Sequence, residues 1–271
     1  MSITGLCTGL LAEFDPLGAV VEAPLFTFYI SHWHVSVSNH MFMVAVATVI
    51  LMVGIPLAVR QNHSMVPRGM RNVAESICLF LREEVARPIL KKHTDRYIGF
   101  VWTVFFFILT LNLLALIPTE KIVALVTGKE NHFGGAPTAN IWITGAMAAV
   151  AFFMMHISGI REQGLWRYIV NFAPPVPWWL LPLIYPLEIV SSFVRPFTLA
   201  IRLFANIIAG HMILATFLGL IIIFKNYGVA AASVLGAVAL SLLELLVAFI
   251  QAYIFAFLCT IYIGFSVEPE H

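Results

Sequence analysis

The sequence predicts an all-α integral membrane protein: about three upright transmembrane helices, a cytoplasmic amphipathic helix, and a C-terminal hairpin of two long, tilted membrane helices. Three observations carry this. Of 271 residues, 61% are hydrophobic and 11% charged, with a mean hydropathy of +0.94, against about 25% charged in soluble domains. The charges leave long gaps at 23–59, 97–119, 131–160, 168–187, 203–224, 226–243 and 245–267, and about 20 apolar residues suffice to cross a bilayer as a helix. The formal charge of +1 gives no bulk positive field for nucleic acid, so partners are sought in the lipid bilayer.

Residues 1–39 are read as a retained extracytoplasmic tail. Positions 1–24 lack Lys and Arg and include Glu13, Asp15 and Glu22, unlike the basic start of a signal peptide. A single membrane domain then fills 40–271. Its first span, 40–59, ends at Arg60. The segment 60–96 holds eight of the fifteen basic residues, which places it in the cytoplasm by the positive-inside rule. Within it Val73, Ile77, Phe80, Leu81 and Val85 recur at helical spacing opposite Arg71, Glu75 and Arg82. That pattern fits an amphipathic helix at the membrane surface, with a solvated loop helix as the alternative.

Spans at 98–118 and 139–158 follow, joined by an outside loop, 119–138, that carries Lys121, Lys129 and a Gly134-Gly135 turn. With Arg161 and Arg167, ten loop bases face the cytoplasm against three outside, the third being Lys225. The N-terminus is therefore extracytoplasmic and the C-terminus cytoplasmic. Pro174, Pro175, Pro177, Pro182 and Pro186 are expected to break helix repeatedly. Beyond them lie apolar segments at about 187–223 and 229–266, joined by 224–228. About 37 residues at 1.5 Å each span about 55 Å, well beyond a hydrocarbon core of about 30 Å, so both should tilt or bend.

Glu188, Arg195, Arg202, His211 and Glu244 interrupt this apolar sequence, although an ionised group at the bilayer centre costs at least about 2.5–3.5 kcal/mol. Glu188, Arg195 and Arg202 are seven apart and fall on one helix face, with Ser191, Thr198 and Asn206 close to the same stripe. A guanidinium stays protonated, so Arg202 can attract an anion or repel a cation but cannot pass a proton on. That suits a gate for a carboxylate brought by another subunit, which would lose its proton facing Arg202. A buried ion pair with Glu188 or Glu244 is the other reading. Glu244 and Gln251 share a face of the last segment. His211 lies about 180° from Arg202 and is placed to meet Glu244 across the hairpin, where such a pair could pass protons; a satisfied core histidine is the alternative.

RPFTLAIRLFANIIAGHMI at 195–213, followed by ELLVAFIQAYIFAFLCTIYI at 244–263, resembles the signature of subunit a of F-type ATP synthases, the stator of the membrane proton channel. The shared pattern is Arg-Leu-Phe, Asn four residues after the Arg, Gly at the eighth, and Gln-Ala-aromatic-Ile-Phe in the next helix. The basic segment, the Asn112-to-Pro118 ending of the second span and the long helices follow the family's order. The resemblance implies that Arg202 faces the carboxylates of a rotating c-ring and separates two offset half-channels. It places Asn206, Gln251, His211 and Glu244 by the extracytoplasmic half-channel, and Glu188 and Ser191 on the cytoplasmic side. Some bacterial members carry Glu where this chain has His211 and His where it has Glu244, an exchange that keeps the charge complement and argues for proximity. Arg195 stands where the family often has Lys.

The resemblance further implies a bacterial inner (plasma) membrane and, as partners, the c-ring, peripheral-stalk subunit b and the remaining subunits. No nucleotide-binding GxxxxGK[ST] run is present, so ATP chemistry is assigned to other subunits, and no cofactor or metal is expected. Cys7, Cys78 and Cys259 lack metal-ligand or CxxC spacing, HExxH is absent, and of nine histidines His156 and His211 alone lie within apolar spans. A secondary ion-coupled transporter is the alternative, but its paired halves have no counterpart here.

Overall fold

The computed structural model describes residues 24–30, 33–60, 69–117, 119, 134–172, 177 and 179–267. The first 23 residues, most of the loop with Lys121 and Lys129, Pro174, Pro175 and the last four positions lie outside these. Among the described residues the protein is an all-α membrane protein with one departure. That departure is a hairpin of β1 (Pro24–Ile30) and β2 (Trp33–Ser38), antiparallel, with an irregularity between Pro24 and Phe26. It falls in the segment read as a tail; FTFYI and HVSVS are rich in β-branched and aromatic residues, which favour strand.

The helices are α1 (Asn39–Arg60), α2 (Met70–Phe80), a π-helical turn (Leu81–Ala86), α3 (Arg87–Leu90), a 3-10 turn (Lys91–His93), α4 (Thr94–Leu116), α5 (Ile141–Gln163), α6 (Leu165–Val170), α7 (Leu181–Phe224) and α8 (Tyr227–Val267). Five stretches among the described residues are long and apolar enough to cross a membrane. Helices cover the first three segments expected to span, each shifted or extended by a few residues at its ends.

α7 corrects the reading of the prolines. It begins at Leu181, not 187, and contains Pro186 and Pro196. Pro182 falls in the first turn, where its missing N–H would have had no helical partner anyway; Pro186 and Pro196 each forgo one bond within a long apolar helix. At 44 residues α7 is about 66 Å long, more than an upright span needs, and α8 has 41. The turn between them is tight: Lys225 takes φ 46°, and the Asn226 side-chain oxygen accepts from Gly228 N at 2.8 Å, capping α8.

The chain divides into two compact units. The larger comprises the described parts of 46–110, 141–203 and 249–271. Its core is set by helical spacing: Ile98, Val101, Phe105 and Ile108 from α4, Leu199 and Leu203 from α7, and Ala252, Phe255, Ala256, Cys259 and Ile263 from α8. The small residues of α8 permit close helix approach. Leu81, Val85, Ala86 and Leu90 join this core while Val73 and Phe80 stay exposed. The amphipathic stripe is thus divided, and its second half is core rather than solvated loop. Ion pairs fasten the polar edge, where Glu162 meets Arg96 at 2.5 Å, Tyr97 Oη at 3.0 Å and His93 at 3.6 Å.

The smaller unit comprises the described parts of 1–45, 111–140 and 204–248. Ala115, Ala136, Ala139 and Ile207 form its apolar cluster. Residues 134–138, expected at the end of an outside loop, are all buried. Asn112 of α4 donates from Nδ2 to the Ala248 carbonyl of α8 at 3.4 Å.

Candidate functional site

The polar stripe of α7 begins with a closed cluster in the larger unit. Arg195 donates from NH2 to Glu188 Oε1 at 2.9 Å and from Nε to Ser191 Oγ at 3.1 Å, and its guanidinium lies 5.6 Å from the centre of the Tyr262 ring of α8. Glu188, two turns earlier, reaches Arg195 because both long side chains extend along the same face. The charge of Arg195 is thereby balanced within the chain. Thr198 does not enter the cluster; its hydroxyl donates to the Val194 carbonyl of its own helix at 2.9 Å.

Arg202 differs. It is exposed, within electrostatic reach of Tyr262, and makes no hydrogen bond or ion pair among the described residues. The internal ion pair weighed for it is therefore absent among the described residues. On α7 its neighbours at the preceding turns, Val194, Phe197, Thr198 and Ile201, are also exposed. A fixed cation thus stands on an outer face of α7 between exposed Val194, Phe197 and Ile201, where lipid would offer no counter-charge.

In the smaller unit, the Glu244 carboxyl group lies against the backbone of Gly210. A Cβ placed on Gly210 would stand 1.9 Å from Glu244 Oε1 and 2.7 Å from its Cδ, so no larger residue fits without moving the carboxyl. Glu244 Oε1 is buried without a hydrogen-bond partner among the described residues. His211 follows Gly210 directly and interacts with the backbone of Ala115; no hydrogen bond or ion pair joins it to Glu244 among the described residues. The two are brought together through Gly210 rather than by direct pairing. Asn206, on the same helix, is half-buried and makes no side-chain hydrogen bond among the described residues. Gln251, described with the larger unit, is 3% exposed, and its Nε2 is also unpartnered among the described residues.

Two contributors were not singled out as site residues from the sequence. Gly210 was present in the motif as a spacing signal, and its role as the floor under Glu244 depends on a cross-helix distance. Asn112, whose Oδ1 is buried without a hydrogen-bond partner among the described residues, marks the end of a span, and its link to Ala248 carries no sequence signal. Among the described residues no group of three or more His, Cys, Asp or Glu side chains could hold a metal ion.

The family model described as ATP synthase A chain matches residues 41–264. The chain is 39% identical over 239 residues to ATP synthase subunit a of Myxococcus xanthus (strain DK1622), covering 87% of this chain and 74% of that protein. It is 33% identical over 265 residues to ATP synthase subunit a of Chloroherpeton thalassium (strain ATCC 35110 / GB-78), covering 95% and 74%. With ATP synthase subunit a 2 of Chlorobaculum tepidum (strain ATCC 49652 / DSM 12025 / NBRC 103806 / TLS) it shares 33% over 259 residues, covering 94% and 69%.

Proposed function

Because the chain belongs to the ATP synthase A chain family, we propose that Arg202 is the electrostatic gate of a proton-conducting stator. The chain is an integral membrane subunit of the Fo sector of an F-type ATP synthase, engaged in proton transport and not by itself a catalyst of ATP chemistry. The single observation that carries the gate is that Arg202 is exposed and has no ion pair among the described residues.

A permanent cation facing lipid costs at least about 2.5–3.5 kcal/mol, and a carboxylate from a neighbouring subunit would remove that cost. The partner is a c-ring whose intramembrane carboxylates pass Arg202 in turn. A carboxyl group opposite the guanidinium is held ionised and gives up its proton. Moving on into lipid, it must first take up another. Arg202, unable to release its own proton, blocks direct passage between the two sides.

Protons reach the ring from outside through a half-channel lined by His211, Glu244, Asn206 and Gln251. A buried polar atom left unpaired costs about 1–3 kcal/mol, so Glu244 Oε1, which has no hydrogen-bond partner among the described residues, is best accounted for by a hydrated path for these protons. They leave to the cytoplasm past Glu188, Ser191 and Arg195, with Thr198 along the stripe. The two long helices lie tilted in a bacterial plasma membrane, N-terminus outside and C-terminus in the cytoplasm. Peripheral-stalk subunit b holds the stator against the turning ring.

The test is Arg202→Ala in the assembled ATP synthase in inverted vesicles. ATP-driven acidification should fall to background while ATP hydrolysis by the detached soluble sector continues. Normal acidification would refute the gate.

A further inference from the structure

Outside the α7 stripe, the larger unit holds a second intramembrane histidine. His156 of α5 has both ring nitrogens engaged: Nδ1 lies 2.6 Å from the Tyr168 hydroxyl of α6, and Nε2 lies 3.1 Å from Ser192 Oγ of α7. The Ser266 side chain, near the end of α8, lies within interaction range of the Tyr168 hydroxyl. Ser192, Tyr168 and Ser266 are 2%, 8% and 7% exposed. Four elements thus set exchangeable protons in sequence, with Ser192, His156 and Tyr168 joined by hydrogen-bond contacts and Ser266 within reach of Tyr168.

The surroundings are built for this chain. Phe152 stands edge-on to the His156 ring at 4.2 Å, and the Phe172 ring lies at 6.1 Å. A cavity of about 250 Å³ opens beside them, also lined by Tyr185, whose hydroxyl donates to the Ile169 carbonyl at 3.3 Å. Tyr168 and Tyr185 are the titratable groups facing His156 there, and no charged side chain lines this cavity. Gly159 leaves room for the Tyr168 ring: a Cβ there would come within 2.4 Å of it and 2.9 Å of the Ser266 carbonyl oxygen. At the other end Ser192 is next to Ser191 and one turn from Glu188, the two residues that hold Arg195.

Two hydroxyl contacts to one histidine could simply fasten α6 to α5. An imidazole set between two hydroxyls has a further capacity: it can take a proton at one nitrogen while releasing one from the other, and each hydroxyl both donates and accepts. We propose that Ser192, His156, Tyr168 and Ser266 form a proton relay between the Glu188 end of the α7 stripe and the C-terminal end of α8. The relay rests on the proton-stator reading and supplies its exit with named groups. In one passage a proton delivered through the Ser192 hydroxyl bonds to Nε2, and the Nδ1 proton passes to the Tyr168 oxygen. Tyr168 gives its own hydroxyl proton to Ser266, which releases one in turn. One proton has crossed, no group keeps a net charge, and rotation of the hydroxyls and a return of the imidazole tautomer reset the chain.

The experiment uses the assembled ATP synthase in inverted vesicles, with passive proton conduction read after the soluble sector is stripped. Glutamine in His156→Gln can still hydrogen-bond to both hydroxyls but cannot relay, and conduction should fall about tenfold or more with assembly intact. Tyr168→Phe keeps the ring over Gly159, removes the hydroxyl, and should give a similar fall. In His156→Ala, added imidazole should restore conduction and 1-methylimidazole should not, a difference that a fastening role would not produce. Wild-type conduction in assembled Tyr168→Phe and His156→Gln complexes overturns the relay, and if the glutamine variant fails to assemble, Tyr168→Phe decides alone. Loss of pumping in Arg202→Ala alongside unaltered relay variants would sink the relay and leave the stator standing; intact pumping in Arg202→Ala would remove the basis of both.

Discussion

Arg195 and Arg202 stand seven residues apart on one stripe of α7, yet their surroundings are opposite. Arg195 is held by Glu188, Ser191 and the face of Tyr262. Arg202 has exposed apolar neighbours and no ion pair among the described residues. The first charge is answered within the chain, whereas the second asks for an answer from outside it. Periodicity finds the stripe but does not say which of two arginines owns the one nearby acid. The acids differ in the same way: Glu188 is spent on Arg195, while Glu244 carries a buried oxygen with no partner among the described residues.

The largest test of this contrast sets the two arginines side by side. Arg202→Ala should abolish ATP-driven acidification, whereas Arg195→Ala should retain measurable pumping; equal losses in one quenching assay would show that pairing does not rank them. Next in size is Gly210→Ala. The added methyl must displace the Glu244 carboxyl, 1.9 Å from its position, so proton conduction should drop several-fold, and shortening the acid with Glu244→Asp should recover part of it. A double variant no better than Gly210→Ala alone would show that contact with Glu244 is not the reason for glycine.

A smaller effect is expected from exchanging the pair. His211→Glu combined with Glu244→His should conduct better than either single change, because the two share the Gly210 neighbourhood without bonding directly; additive losses would show independence. Smallest is the stability cost of Arg195→Ala. With both partners about 30% exposed, the ion pair is worth about 1 kcal/mol or less, which thermal unfolding of the detergent-solubilised subunit would measure. A cost several times larger would mean that the cluster carries more of the fold than its exposure implies.

Much of this was legible in the sequence. Charge-free runs located the spans because charge in lipid is costly, and a seven-residue spacing placed Glu188, Arg195 and Arg202 on one face because a helix repeats every 3.6 residues. The start of α7 was misjudged because proline was weighed as a breaker without regard to position, and Pro182 occupies the first turn, where it is tolerated. The hairpin at 24–38 is the least legible element, because its strand-favouring residues lie inside a charge-free run that also reads as the approach to a membrane span. Gly210 and His156 were visible as residues but not as participants. A floor under a carboxyl and a histidine between two hydroxyls exist only once helices distant in sequence meet.

The central claim is that the charge on Arg202 is answered by a carboxylate of a rotating ring. Its most direct test is disulfide cross-linking of Arg202→Cys to a cysteine placed at the ring's carboxylate position in the assembled complex. Efficient formation of a cross-linked product that stops rotation is the expected result. An assembled complex that forms none under oxidation, while ring cysteines cross-link readily to one another, would contradict the account.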